Sequence, residues 1–293
     1  MNIPQHPQVQ RLIKTALKED IGTGDVTTQT IIPSSKKIQA LITVQEPAVV
    51  AGSEVAVAVF RTLDPKIQVR VYVEDGKKVK VGERVLQLKG KAGAILSGER
   101  VALNFLSRLS GIATLTRQFV EKIQPFQTQI LDTRKTTPGW RILEKYAVRI
   151  GGGNNHRQGL FDQILIKDNH LDILQRSRKW KGNRKKFWDQ LFREIRAKNK
   201  KNLVIETEVH TLQDLPYVLA NHPDWILVDN FTPSQVKKAV TLRHQIAPDV
   251  LVEASGGITL ENARQYAQTG VDALAIGRLT HSATGINFSL EIT

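Results

Sequence analysis

The sequence predicts an α/β protein in two parts: a mixed α+β domain over residues 1–112 and a barrel of alternating strands and helices over residues 113–279. Three observations predict it. Near the start, KIQALITVQE and KIQVRVYVED alternate apolar and polar residues as half-buried strands do. Residues 92–122 keep a three- and four-residue apolar spacing over many turns, which marks a long amphipathic helix. From about residue 127 short apolar runs alternate with helical stretches; this implies a parallel sheet, and six such units imply a barrel. The length of 293 residues fits about two domains.

Taken in order, residues 9–19 read as the first helix, and the two alternating segments follow, with Gly76, Gly82 and Gly90 as turns. In the 92–122 helix, Ile95, Ala102, Phe105, Leu106, Leu109 and Ile112 form a buried stripe, and Arg100, Asn104, Ser107, Arg108 and Gly111 the opposite, polar stripe. The barrel strands are QTQILDTR, QILIKDN, NLVIETEV, DWILVDN, DVLVEASGG and DALAIGR. They end in Asp132-Thr133-Arg134, Lys167-Asp168, Glu206 to Glu208, Asp229-Asn230, Ser255-Gly256-Gly257 and Gly277-Arg278. Barrel enzymes place their chemistry at these C-terminal strand ends. The last residues, INFSLEIT, read as a strand returning to the N-terminal domain, so that 280–293 joins 1–112.

An apolar share of 41% supplies a sizeable core, and the absence of cysteine excludes disulfides, thiolate metal sites and cysteine nucleophiles. No run approaches the roughly 18 apolar residues of a membrane helix. The first twenty residues lack the apolar stretch of a secretory signal, so a soluble cytoplasmic protein without a membrane partner is expected. The net charge of +14 is local. Residues 175–201 hold twelve lysines and arginines against Asp189 and Glu194, so ten of the fourteen charges sit there. Phe187, Trp188, Leu191, Phe192 and Ile195 recur at helical spacing within this segment, which reads as an inserted surface helix with a solvated basic face. A contact with RNA, an anionic surface or a partner is the alternative, but nucleic acid is not the expected partner of the protein as a whole.

The chemistry concentrates between residues 131 and 170. Arg134, Lys135, His156, Arg157 and Lys167 fall on separate short segments, an arrangement suited to a concave pocket for a polyanion. A guanidinium grips a carboxylate or phosphate through two parallel hydrogen bonds. Gly151 to Gly153, just before His156, let backbone approach a ligand. ASGGIT (254–259) and AIGR (275–278) suit a phosphate cradle of backbone N–H groups, with a helix starting near Thr259; tight turns are the alternative. Glu208 and Asp229 end consecutive strands and suit Mg²⁺, ribose hydroxyls or a cationic transition state, or else salt bridges to lysines. His156, beside Arg157, is placed to donate to a carboxylate, and His170 to orient a neighbour; zinc-ligand spacing is absent. Paired carboxylates alone would suit a glycosidase, but a neutral sugar needs none of the cations.

Seven motifs carry a resemblance over nearly the whole chain: EDIGTGDVTT (19–28), SGERVALNFLSRLSGIAT (97–114), DTRKTTPGWRILEKYAVRIGGGNNHRQGL (132–160), ILIKDNH (164–170), ETEV (206–209), LVDNF (227–231) and EASGGIT (253–259). The sequence resembles the quinolinate phosphoribosyltransferases, the carboxylating nicotinate-nucleotide pyrophosphorylases of NAD synthesis. The resemblance implies an N-terminal α/β sandwich domain and an open (β/α) barrel domain. It also implies a homodimer or assembly of dimers whose active sites are shared between subunits. The implied substrates are quinolinate and phosphoribosyl pyrophosphate, with Mg²⁺ as cofactor. By motif, Thr133, Arg134, His156, Arg157 and Lys167 line the quinolinate site, and Arg100 reaches it from the partner subunit. Lys135 holds pyrophosphate, Glu208 and Asp229 take the ribose hydroxyls and Mg²⁺, and Ser255, Gly256, Gly257, Gly277 and His281 the 5′-phosphate. Lys135, Lys167, Glu208 and Asp229 are the implied catalytic set. The segment 175–201 departs from the family pattern in length and charge. A phosphoribosyltransferase for another acidic heterocycle is the nearest rival. A nucleic-acid-binding protein would leave the glycine and carboxylate loops unexplained, and a scaffold would not need polar groups at successive strand ends.

Overall fold

A computed structural model describes residues 3–176 and 183–293; part of the basic segment, residues 177–182, lies outside the described residues. Its first elements are α1 (Pro7–Ile21), α2 (Val26–Ile31), β1 (Lys37–Val44), β2 (Ala48–Val49), α3 (Ser53–Leu63), β3 (Gln68–Val71), β4 (Lys78–Val79), β5 (Arg84–Lys91) and α4 (Ala92–Lys122). There follow β6 (Gln129–Leu131), α5 (Arg141–Ile150), β7 (Ile164–Ile166), α6 (Asp168–Arg176), α7 (Arg184–Lys198), β8 (Ile205–Val209) and α8 (Leu215–Leu219). The last are β9 (Trp225–Asp229), α9 (Pro233–Ile246), β10 (Leu251–Ser255), α10 (Ala263–Ala267), β11 (Ala273–Ala275), α11 (Arg278–His281) and β12 (Phe288–Ile292). Two compact units result: one of Met1–Arg117, Lys135–Gly153 and Gly277–Thr293, the other of Gln118–Arg134 and Asn154–Ile276.

In the first unit an antiparallel sheet of order β12-β1-β5-β3 supplies alternating apolar residues to a core. Ala40, Ile42 and Val44 of β1 and Leu86 and Leu88 of β5 are buried, as the period of two requires. The C-terminal strand β12 pairs with β1, Phe288 opposite Val44. Gly76 and Gly82 turn the chain at positive φ, but Gly90 sits inside β5 opposite Ile38. A Cβ there would lie 2.8 Å from Ile67 Cγ1, so this glycine makes room for packing instead of a turn. The whole predicted stripe of α4 is buried. Its opposite face is not uniformly solvated: Gly111 is buried against Thr284 O, and Ser107 O accepts from Ile286 N at 3.0 Å. A side chain at 111 would push this C-terminal connection off the helix.

The second unit is built on a parallel sheet of order β6-β11-β10-β9-β8-β7, made of the six strands the sequence predicts. β8 is buried along its length, as expected for a parallel strand covered on both faces. The edge strands β6 and β7 do not pair with each other, so the barrel is open. In α7, Phe187, Trp188, Leu191 and Phe192 of the predicted apolar face are buried and Ile195 is half-buried, while Lys186, Arg193 and Lys198, and Lys200 and Lys201 just beyond the helix, are exposed. Among the described residues no helix is long and apolar enough to cross a membrane.

Candidate active site

Strand register gathers the polar groups of the second unit. Residues two apart on a strand share a face, and Ile166 pairs with Thr207, Glu208 with Leu227, Glu253 with Leu227 and Ser255 with Asp229. Lys167, Glu206, Glu208, Asp229, Glu253 and Ser255 therefore share one face of the sheet. Lys167 Nζ lies 2.9 Å from Glu208 Oε2, and His210 Nε2 lies 2.9 Å from Glu208 Oε1. Glu208 is buried, so its carboxylate is held between two cation-capable groups, one on each oxygen.

The loop after β6 brings in the arginines. Asn154 N donates to Ile130 O at 2.7 Å and Asp132 N to Asn154 O at 3.2 Å, which seats residues 154–157 beside the end of β6. Asp132, fully buried, accepts from His156 N at 3.0 Å and from Asn155 Nδ2 at 2.5 Å. Arg134 is two residues beyond Asp132, and Arg157 follows His156 directly. Burial, and then the neighbouring Arg134 guanidinium, lowers the pKa of Arg157. Two like charges are thus held close together, an arrangement that favours an incoming anion.

His156 points away from solvent. Its Nδ1 accepts from Arg157 N at 2.7 Å, and its Nε2 lies 3.1 Å from Glu206 Oε2 and 3.4 Å from Glu253 Oε2. Glu206 Oε2 also accepts from Gln163 Nε2 at 2.6 Å. Both glutamates are 1% exposed. Burial, then the neighbouring Glu206, pushes the Glu253 carboxyl well above the ordinary carboxylate range. Neither glutamate is prominent in the sequence; the signal is spacing, since Glu206 is two residues before Glu208 and Glu253 two before Ser255 on their strands. His170 is exposed and accepts from Lys167 N at 3.0 Å, so it orients the backbone at Lys167.

The glycine-rich loops behave unequally. Gly256 and Gly257 adopt φ of +91° and +62°. A Cβ on Gly256 would collide with Asn230 Oδ1, and Asn230, itself at φ +56°, donates its N–H to Ser255 O at 2.8 Å. The loops after β9 and β10 are therefore keyed together. The helix expected near Thr259 starts at Ala263: Thr259 N donates to Asn262 Oδ1 at 2.8 Å, and that side chain occupies the turn first. α10 is only five residues long, so any anion at this loop meets backbone N–H groups of the glycines and not a substantial helix end. The triple glycine also differs from expectation. Gly151 N and Gly153 N cap α5 by donating to Ala147 O and Val148 O, and a Cβ at Gly151 would lie 2.6 Å from Ala113 O of α4. That run ends a helix, and Gly151 lets two helices pack.

Other expected residues fall in the first unit. Lys135 crosses Gly277, its Cδ 2.9 Å from where a Cβ at 277 would be, and Lys135 O accepts from Thr280 Oγ1 at 2.7 Å. The His281 ring also borders Gly277, at 3.3 Å from the same point. Glu144, fully buried, anchors this cluster: it accepts from Thr137 N at 3.1 Å, Thr137 Oγ1 at 2.8 Å and Arg108 Nη2 at 2.6 Å. Arg108 continues to Thr280 O and Ala283 O. Arg100 is exposed on α4; Thr133, which belongs to the second unit, is half-buried after β6.

For a metal, Glu208 and Asp229 offer hard oxygen donors at adjacent strand ends, the chemistry Mg²⁺ prefers. Among the described residues, the groups of three potential ligands within 4.8 Å are Asp168 with Glu208 and His210, and His156 with Glu206 and Glu253. Glu208 is already met on both oxygens, so the donors fit an ion carried largely by substrate oxygens and water better than an all-protein cage.

Known proteins match this architecture. Residues 25–110 match the quinolinate phosphoribosyl transferase N-terminal domain and residues 112–291 its C-terminal domain. The chain is 40% identical over 292 residues to a probable nicotinate-nucleotide pyrophosphorylase (carboxylating) of Bacillus subtilis, covering 98% of this chain and 94% of that one. It is 42% identical over 283 residues to the nicotinate-nucleotide pyrophosphorylase (carboxylating) of Mycobacterium leprae, covering 96% and 95%. The solved nicotinate-nucleotide pyrophosphorylase of Francisella tularensis superposes with a TM-score of 0.87 at 36% identity over 99% of each chain.

Proposed function

Because the chain belongs to the quinolinate phosphoribosyltransferase family, we propose the following assignment of its residues to that family's reaction. The chain transfers phosphoribosyl from phosphoribosyl pyrophosphate to quinolinate with loss of CO₂, giving nicotinate mononucleotide and pyrophosphate in NAD biosynthesis. One observation supports the residue assignment: the buried Asp132 carboxylate accepts from His156 N, which seats the loop carrying Arg157 beside the strand end carrying Arg134, and Arg134 lowers the pKa of Arg157 after burial does. Two carboxylates on one ring answer that pair, with Thr133 beside it and Lys167 adding a third charge from the end of β7. A charge pair at 4 Å contributes up to about 4 kcal/mol at a surface-like dielectric, less the desolvation it costs.

The ring nitrogen is the nucleophile and needs no activated side chain. It attacks the ribose carbon as the bond to pyrophosphate breaks, and positive charge develops on the sugar. Glu208 and Asp229, on the same sheet face, supply negative charge there and accept from the ribose hydroxyls. Lys167, paired with Glu208 at 2.9 Å, links the acid and base ends of the site. The ribosylated ring is cationic; when the adjacent carbon–carboxylate bond breaks, the electron pair passes into it, CO₂ departs and the ring carbon takes a proton. The 5′-phosphate is assigned to Ser255, Gly256, Gly257, Gly277 and His281, and the pyrophosphate to Lys135. Mg²⁺, which Glu208 and Asp229 would hold, supplies neutralisation of the pyrophosphate charge when bound.

The reading includes a cytoplasmic homodimer or assembly of dimers, in which Arg100 meets the quinolinate carboxylates of a neighbouring subunit; its exposure on α4 supports this. The deciding assay mixes purified protein with quinolinate, phosphoribosyl pyrophosphate and Mg²⁺ and follows CO₂ and nicotinate mononucleotide. Product from nicotinate but not from quinolinate would overturn the assignment.

A further inference from the structure

We propose that His156, Glu206 and Glu253 are positioning residues that fix Arg157 from behind, and that His156 does not touch the quinolinate carboxylates. The inference rests on the functional reading above and reassigns one residue of it. Both ring nitrogens are already engaged by protein. The Arg157 N–H must donate, so His156 Nδ1, at 2.7 Å, offers its lone pair. The ring proton then sits on Nε2, which faces Glu206 Oε2 at 3.1 Å and Glu253 Oε2 at 3.4 Å.

His156 also ties the two arginine-bearing segments together. His156 N and Asn155 Nδ2 grip the buried Asp132 carboxylate, two residues before Arg134. The Arg157 backbone hangs on the other side of the His156 ring. Rotation of the ring would therefore move Arg157 relative to Arg134, and Glu206 and Glu253 hold it still. The bracket is also the wrong chemistry for direct contact. Oε1 of Glu206 and Oε1 of Glu253 are buried without a hydrogen-bond donor among the described residues. Burial raises the pKa of Glu253, which limits the charge that accumulates there. The carboxyl oxygens packed around Nε2 occupy the side of the ring from which a ligand carboxylate would have to approach it, and they orient an imidazole N–H well.

The test uses the full-length protein labelled with ¹⁵N-histidine, with the His156 signals identified by their loss in His156→Asn. The expected result is a single proton on Nε2, unchanged when quinolinate is added to saturation. A doubly protonated ring, or a proton moved to Nδ1, on quinolinate binding would overturn the proposal. In kinetics, Glu206→Ala should raise KM for quinolinate about 10- to 100-fold with much less effect on KM for phosphoribosyl pyrophosphate, and Glu206→Gln should restore most of it. A folded Glu206→Ala protein with an unchanged KM for quinolinate would equally overturn it. If Glu206→Ala does not fold, Glu206→Gln and the ring signals carry the test. A wild-type protein that fails to turn over quinolinate would instead overturn the functional reading, and the ring spectrum would still decide the bracket.

Discussion

At the scale of single residues, the proposed assignment gives the choice of substrate to the guanidinium pair of Arg134 and Arg157. Burial, and then Arg134, lowers the pKa of Arg157 against the opposing pull of Glu206 and Asp162, so a further anion beside it would stabilise its charge. Arg157→Ala or Arg134→Ala is expected to cost roughly 10²- to 10³-fold in kcat/KM for quinolinate, the range for truncating a buried charge pair. Arg157→Lys should recover little, because an ammonium cannot reproduce the two-pronged grip. Steady-state kinetics with each substrate varied in turn checks both; wild-type kcat/KM in either alanine variant would remove the clamp. Glu208 poses a separate test. Its oxygens are held by Lys167 and His210, so Glu208→Gln weakens both pairs at once and should lower kcat, whereas His210→Ala removes one and should cost less. Equal losses in the two variants would contradict that ranking. His210 escaped the sequence reading, and Glu206, named only among the polar strand ends, received no role, because one charged residue on a strand looks like another until register fixes its neighbours.

At the scale of elements, the loops after β9 and β10 stand or fall together. Gly256→Ala meets two penalties, a left-handed backbone at φ +91° and a collision with Asn230. Gly257→Ala meets only the backbone penalty, since nothing lies within 4 Å of its Cβ position. The second should cost roughly 1–2 kcal/mol and the first clearly more. Urea unfolding midpoints of the two variants compare them; a Gly256→Ala protein as stable as Gly257→Ala would show that Asn230 yields freely. The six strands were legible because an unbroken apolar run such as ILV in β9 has few other uses in a parallel sheet. Starts of short helices were not. Thr259 precedes a plausible helical pattern, but Asn262 captures its N–H and delays α10 by four residues. The packing role of Gly151 was hidden for a related reason: a glycine that admits a ligand and one that admits a neighbouring helix are identical in sequence. Only the Ala113 carbonyl beside Gly151 distinguishes them.

At the scale of the whole molecule, the network beneath the arginines weighs on folding as well as on function. Glu253 is fully buried, and burial, reinforced by Glu206, raises its carboxyl pKa well above the ordinary 4.5. The native state therefore keeps a proton that the unfolded chain releases once pH passes about 4.5. With more protons bound in the native than in the unfolded state, stability must fall as pH rises through that interval, by up to about 1.4 kcal/mol per pH unit. Glu253→Gln removes the titration while keeping the shape. Below pH 4.5 both states of the wild type are protonated at this site, and variant and parent should differ by a constant amount. Above it the variant should gain on the parent steadily until the native carboxyl itself ionises. Thermal midpoints of the two proteins between pH 4 and 8 give the comparison. A pH-independent difference would mean that Glu253 is ionised in the native protein, its charge balanced within the site. A widening one would mean that global stability has been given up to keep a carboxyl group behind His156, as is common where a buried polar group serves a binding site.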